Sequence, residues 1–186
     1  MSDWLTLQDC SGRARVGCKG PGAAGWLAAQ GYRLPADPNS AALDASGALV
    51  ARLASSEFLV ENLGNAIGRV AATRAQLEQR TQPPDVYPVA REDFAIAVSG
   101  AGLNDLLRQT CSVDFAPLLA GATRDDGPIV LTSMIGVGVI AWPQRLEAQP
   151  LLRLWIDPSF AHYFWSTLRE VGAADGRVTI QTGSDA

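Results

Sequence analysis

The chain has one histidine, His162, and three cysteines, Cys10, Cys18 and Cys111, in 186 residues. No two cysteines form a CxxC pair. One histidine cannot complete a Cys/His ligand set with such spacing, so no metal site is expected. The odd cysteine count fits a reducing compartment. Basic runs are also missing. The net charge is −4 and the pI about 4.9. An acidic chain without a basic patch is a poor match for nucleic acid or an anionic membrane.

Long apolar runs are absent too. The longest, IVLTSMIGVGVIAW (129–142), is too short to cross a bilayer and is interrupted by glycine and hydroxyl residues. It reads as strand, turn, strand. The opening stretch MSDWLTLQDCSGRARVG lacks a positive segment followed by an apolar core, so a secretory signal peptide is not expected. These readings together predict a cytoplasmic protein.

What is present is an ordinary globular composition, 47% hydrophobic and 18% charged. The length suits a single domain over 1–186, built from two halves of about 1–83 and 86–186. Two segments support the halves. VGCKGPGAAGWLAAQG (16–31) and IAVSGAGLNDLLRQTC (96–111) align with Gly20 on Gly100, Gly22 on Gly102 and Leu27 on Leu107. Each reads as an apolar strand, a G-x-G turn and an amphipathic helix.

The first copy continues through a polar loop into ALVARL and SEFLVENL, two strands with a tight turn at Ala54–Ser55. A helix is expected from about Gly64 to Arg80, with Ile67, Val70, Ala71 and Leu77 inward. The proline-bearing TQPPDVYPVA (81–90) joins the halves. The second copy continues through the loop VDFAPLLAGATRDDG into the strands IVLTSMIGV, GVIAWPQ and LLRLWID, and DPSFAHYFWSTLREVG closes the chain as a helix. The predicted class is α+β, with antiparallel sheet covered by helices.

Four motifs could carry chemistry. GPGAAG (20–25) matches G-x-G-x-x-G. Pro21, however, removes an N–H that a phosphate would need, and no prompt second parallel strand follows. A structural turn is expected. In the closing helix Asp157 reads as an N-cap and Pro158 as the first helical residue. Phe160, Phe164, Leu168 and Val171 then share the core face, flanked by Trp165. His162 joins Ser166 and Arg169 on a polar stripe. No nucleophile elbow accompanies it, so a solvated or interface histidine is expected rather than a base. The acidic pairs Glu92–Asp93 and Asp125–Asp126 sit in polar surroundings that would not shift a carboxylate. The late aromatics Trp142, Trp155, Phe160, Phe164 and Trp165 read as core or interface. No catalytic, cofactor-binding or metal residue is assigned.

The runs GCKGPGAAGWLAAQGYRLP, ALVARLASSEFLVE, DFAIAVSGAG with LLRQTCSVDF, and LLRLWIDPSFAHYFWSTLREVG resemble, in that order, the gamma subunit of heterotetrameric sarcosine oxidase. The resemblance covers about 12–172. That subunit is similar in turn to the folate-binding domain of the glycine-cleavage aminomethyltransferase.

The resemblance implies a non-catalytic subunit, with no cofactor of its own, in a complex that oxidatively demethylates sarcosine. It implies large and medium subunits carrying FAD, FMN and NAD, a further small subunit, and tetrahydrofolate as one-carbon acceptor. In the transferase branch, a stretch like T-x-x-L-N-x-x-G-G-I-x-D-D supplies folate-site residues. Here LTSMIGVGVIAWPQR keeps Thr132 and Gly136 but has Ala141 and Trp142 where aspartates would stand. Two alternatives stay open: a stand-alone folate-binding one-carbon transferase, and a scaffold subunit of another amine demethylase.

Overall fold

The computed structural model describes residues 4–79, 84–147 and 149–182. In chain order the elements are β1 (Leu5–Asp9), β2 (Arg15–Lys19), α1 (Ala23–Ala29), β3 (Ser40–Leu43), β4 (Ala48–Ala54), β5 (Glu57–Asn62), α2 (Ile67–Glu78) and β6 (Tyr87–Val89). Then come β7 (Phe94–Ser99), α3 (Leu103–Thr110), α4 (Ala116–Ala120), β8 (Asp126–Pro128), β9 (Val130–Met134), β10 (Val137–Leu146) and β11 (Gln149–Ile156). A 3-10 turn at Pro158–Phe160 leads into α5 (Ala161–Asp175), and β12 (Val178–Thr182) follows. The class is α+β, in two compact units.

The first unit holds Arg13–Arg91 and Asp125–Ile129. Its sheet has the order β6-β2-β5-β4-β3-β8, antiparallel throughout. Alternate residues Val16, Cys18, Val50, Phe58 and Val60 meet Ala23 and Leu27 of α1 and Val70 and Leu77 of α2. The opposite face is also buried: Leu49, Ala51, Leu59, Arg15 and Glu61 are all nearly inaccessible. Two buried faces explain why β4 and β5 read as near-continuous apolar runs.

The second unit holds residues up to Gly12, Glu92–Arg124 and Val130 onward. Its sheet has the order β12-β1-β7-β11-β10-β9, antiparallel except for the parallel β1–β12 pair. Leu5, Leu7, Ile96, Val98, Val139, Leu152 and Leu154 pack with Leu103, Leu106 and Leu107 of α3 and with Phe164 and Leu168 of α5. Phe115 and Leu119, at α4, close this core.

The two G-x-G turns have the same geometry. Gly20 has φ +119° and Gly100 φ +120°. Gly22 N–H donates to the Asp85 carbonyl at 3.0 Å, and Gly102 N–H to the Trp4 carbonyl at 2.9 Å. Ala23 N–H returns to Gly20 O at 3.0 Å, and Leu103 N–H to Gly100 O at 3.2 Å. Each turn therefore anchors the residue just before an edge-side strand, β6 in one sheet and β1 in the other. Those strands are exchanged along the chain. β1 precedes β2 yet pairs with β7, and β6 precedes β7 yet pairs with β2.

Several expectations need correction. The α2 face that is buried is Val70, Thr73 and Leu77. Ile67 is 58% exposed and Ala71 is exposed. Thr73 turns inward because its hydroxyl meets the Tyr32 hydroxyl at 2.8 Å. The β4–β5 turn falls at Ser55–Ser56, one residue later than expected. The loop after α3 contains α4, and RDDG gives β8, which pairs with β3. The closing helix is not the last element, since β12 returns to the sheet. Within TQPPDVYPVA, β6 is formed, while Thr81, Gln82 and Pro83, like Arg80, lie outside the described residues.

Candidate functional site

α5 begins where local chemistry says it should. The Asp157 carboxylate accepts from Ser159 Oγ at 2.7 Å and Ser159 N–H at 2.9 Å, which keeps its pKa low. His162, one turn on, is exposed, and its imidazole makes no hydrogen bond among the described residues. Ser166 is spent on the helix backbone: its Oγ donates to the carbonyls of His162 at 2.9 Å and Tyr163 at 3.1 Å. The polar stripe of His162, Ser166 and Arg169 therefore holds no activated nucleophile.

The aromatic face of this helix differs from its expected arrangement. Phe164 and Leu168 are fully buried, but Phe160 is 46% exposed. It precedes the first α-helical turn and so misses the core. Trp165, half-buried, stands edge-on to Phe94 with ring centroids 6.0 Å apart. Tyr163 is 50% exposed, and its hydroxyl donates to the Ile135 carbonyl at 3.0 Å. Phe160 and Tyr163, spaced i and i+3, form one exposed aromatic patch.

Tyr163 braces an unusual hairpin tip. Ile135 (φ +46°) and Gly136 (φ +78°) connect β9 and β10 with two positive φ values, the pattern of a type I′ turn. A β-branched residue is disfavoured there. Ile135 is held by Tyr163 and by its own N–H, which donates to the Thr110 carbonyl at 2.8 Å.

The stretch compared with the folate-site pattern is this same hairpin. Thr132 lies on β9 and Gly136 in the turn. Ala141 and Trp142 are each 0% exposed on β10. No carboxylate stands at either position, so these residues do not fit a pterin site of that pattern. GPGAAG spends its amides within the first unit: Gly20 N–H on Ser56 O at 2.9 Å and Gly22 N–H on Asp85 O. Neither remains to cradle a phosphate.

The acidic pairs take structural places. Asp126 pairs with Arg33 at 3.0 Å, exposed, and the Asp125 carbonyl accepts from Leu43 N–H at 2.6 Å. Glu92 and Asp93 lead into β7. Among the described residues no three His, Cys, Asp or Glu side chains gather where they could hold a metal. Likewise, no described helix is long and apolar enough to cross a membrane.

Sequence reasoning missed two polar centres in the first unit. Arg15 Nε meets Glu61 Oε2 at 2.6 Å, with both side chains almost fully buried. Arg69 donates to Gly31 O at 2.8 Å and Ser46 Oγ at 2.6 Å, pairs with Asp44, and lies 4.5 Å over the Tyr32 ring. Burial pushes the Tyr32 phenol up. Burial also raises the Cys18 thiol, to about 12, which leaves it unreactive at neutral pH. No short-range pattern signals either centre, because the partners are 25 or 46 residues apart.

Desolvation acts upward on Asp44, but hydrogen bonds from Ser46, Arg69 and Ala48 outweigh it and lower the pKa. The folded value is therefore below the unfolded one of about 3.9. The associated stability is present above that value and is lost as pH falls through the folded value. Asp44→Asn is expected to flatten the decline of unfolding free energy below about pH 4. Urea titrations over an acidic pH series measure it, and parallel profiles for both proteins would contradict it.

No family model matches the chain, and no curated protein does. A solved structure does. The chain is similar to a chain of the heterotetrameric sarcosine oxidase from Corynebacterium sp. U-96 in complex with pyrrole 2-carboxylate. The TM-score is 0.69 at 23% identity, over 98% of this chain and 88% of that one. The two share a fold from end to end.

Proposed function

We propose that this chain is the non-catalytic gamma subunit of a sarcosine-oxidase-type flavoenzyme in the cytoplasm. The observation that carries the reading is the shared fold with a chain of a heterotetrameric sarcosine oxidase over 98% of this chain. The ordered sequence motifs support the same reading, and they run through both G-x-G turns. In this reading FAD, FMN and NAD belong to the large and medium subunits, and a small subunit completes the tetramer. The complex oxidatively demethylates sarcosine and passes the one-carbon unit to tetrahydrofolate. This chain contributes surface and stability. The buried Ala141 and Trp142 favour that role over a stand-alone folate-dependent transferase.

The exposed Phe160–Tyr163 patch is the proposed contact with the large flavin subunit, since aromatic anchors dominate interfaces. Phe160→Asp should weaken co-purification with that subunit by roughly 2 kcal/mol or more while leaving the melting temperature of the isolated chain unchanged. A pull-down beside a thermal melt tests this, and normal binding by the variant would place the contact elsewhere. The isolated chain should also show no flavin absorbance after purification. A stoichiometric flavin spectrum would overturn the non-catalytic assignment.

A further inference from the structure

The edges of the two sheets are not protected alike. In the first unit, β6 and β8 are three residues long and carry Pro88 and Pro128. In the second, the far end of β9 is covered, because Met134 bridges Cys111. Short strands, prolines and covering contacts are the usual guards against strand pairing. β12, VTIQT, has none of them. It is five residues long, uncharged, free of proline and glycine, and bonded on one side only, to β1. Ile180 at its centre is 42% exposed.

Beside this edge runs a groove of about 340 Å³ between α5 and β12, lined by Ser166, Arg169, Glu170, Ala173, Val178 and Ile180. Arg169 and Glu170 are exposed, and neither has an ion-pair partner among the described residues. An unpaired strand edge is satisfied by one chemistry, another extended backbone. We propose that the occupant is the β12 edge of a second copy of this chain.

Two features favour a copy over an unrelated strand. The sequence is self-complementary about Ile180. An antiparallel pair on a two-fold axis sets Ile180 against Ile180 and Thr179 against Gln181, with no like charges opposed. The same axis brings the two grooves together, so that Arg169 of each copy faces Glu170 of the other. The isologous contact joins the two second-unit sheets into one and covers both exposed isoleucines. It does not depend on the oxidase reading.

Sedimentation equilibrium of the purified full chain tests this, up to concentrations on the order of 100 µM, since a single strand pair is a small interface of modest affinity. The wild type is expected to shift from one chain mass toward two. Ile180→Lys, which opposes two ammonium groups on the axis, should stay monomeric. Arg169→Glu should weaken association roughly tenfold, and Arg169→Glu with Glu170→Arg should restore it. If Ile180→Lys fails to fold, the charge-reversal pair decides. A wild type that remains monomeric, or associates beyond two copies, overturns the proposal. So does dimerisation that survives Ile180→Lys, or that is indifferent to Arg169→Glu. Pairing of this edge with another protein's strand while the chain alone stays monomeric also overturns it.

Discussion

Gly20→Val and Gly100→Val each lower the melting temperature by about 6–12 °C, from a loss of about 3 kcal/mol spread over a chain of this size. Both residues sit at φ near +120°, where an L side chain is strained. A Cβ on Gly20 would collide with the Asp85 carbonyl oxygen, and one on Gly100 with the Trp4 carbonyl oxygen. Neither obstacle is a flexible side chain. Both carbonyls also accept the amides of Gly22 and Gly102, so moving them breaks the anchor of β6 or β1. At the second glycine of each pair the obstacles differ. A Cβ on Gly22 would lie 2.9 Å from the Pro84 carbonyl, whereas one on Gly102 would meet the Trp4 ring. Gly25 is the control: it lies within α1 with nothing within 4 Å of an added Cβ. Gly25→Ala should raise the melting temperature slightly, by the roughly 0.5–1 kcal/mol that glycine costs a helix. Calorimetry on the three variants measures all of this. Unchanged melts for the valine variants would mean the two corners are not the tight ones.

Glu61→Leu is the second large effect. Arg15 and Glu61 are direct cross-strand partners in the β2–β5 register, buried, with the guanidinium and carboxylate in contact. Removing one charge from such a pair typically costs about 3–5 kcal/mol, because the other stays in a low-dielectric site. Replacing both by apolar residues of similar volume is often neutral or better. Glu61→Leu should therefore shift the urea midpoint strongly downward, and Arg15→Met combined with Glu61→Leu should recover most of the loss. Equal loss in the double variant would show that the two residues act through separate contacts rather than as a pair.

The strands and the paired G-x-G corners were legible because their signals are local. Alternating apolar residues mark β4, β5, β10 and β11, and glycine marks positions where side chains clash. The exchange of β1 and β6 was not legible, because nothing within LTLQD tells it to pair with Phe94–Ser99 rather than with its neighbour β2. β12 was missed because five residues after a long helix carry little pattern. On α2, periodicity favoured Ile67 and Ala71, but the buried positions are Val70, Thr73 and Leu77. Thr73 is inward because of Tyr32, 41 residues away, a hydrogen bond that hydrophobicity cannot reveal. At α5, Phe164 and Leu168 followed the helical repeat, while Phe160 escaped it by lying in the 3-10 turn. The surface it shares with Tyr163 therefore emerged only in three dimensions.

The most direct test of the oxidase-subunit account is native mass spectrometry of the complex captured through this chain from its own cells, with the flavin spectrum of the same sample. The account predicts one copy of this chain with a large, a medium and a small subunit, and flavin carried by the partners. Recovery of this chain without flavin-bearing partners, or with tetrahydrofolate bound to it alone, would contradict the account.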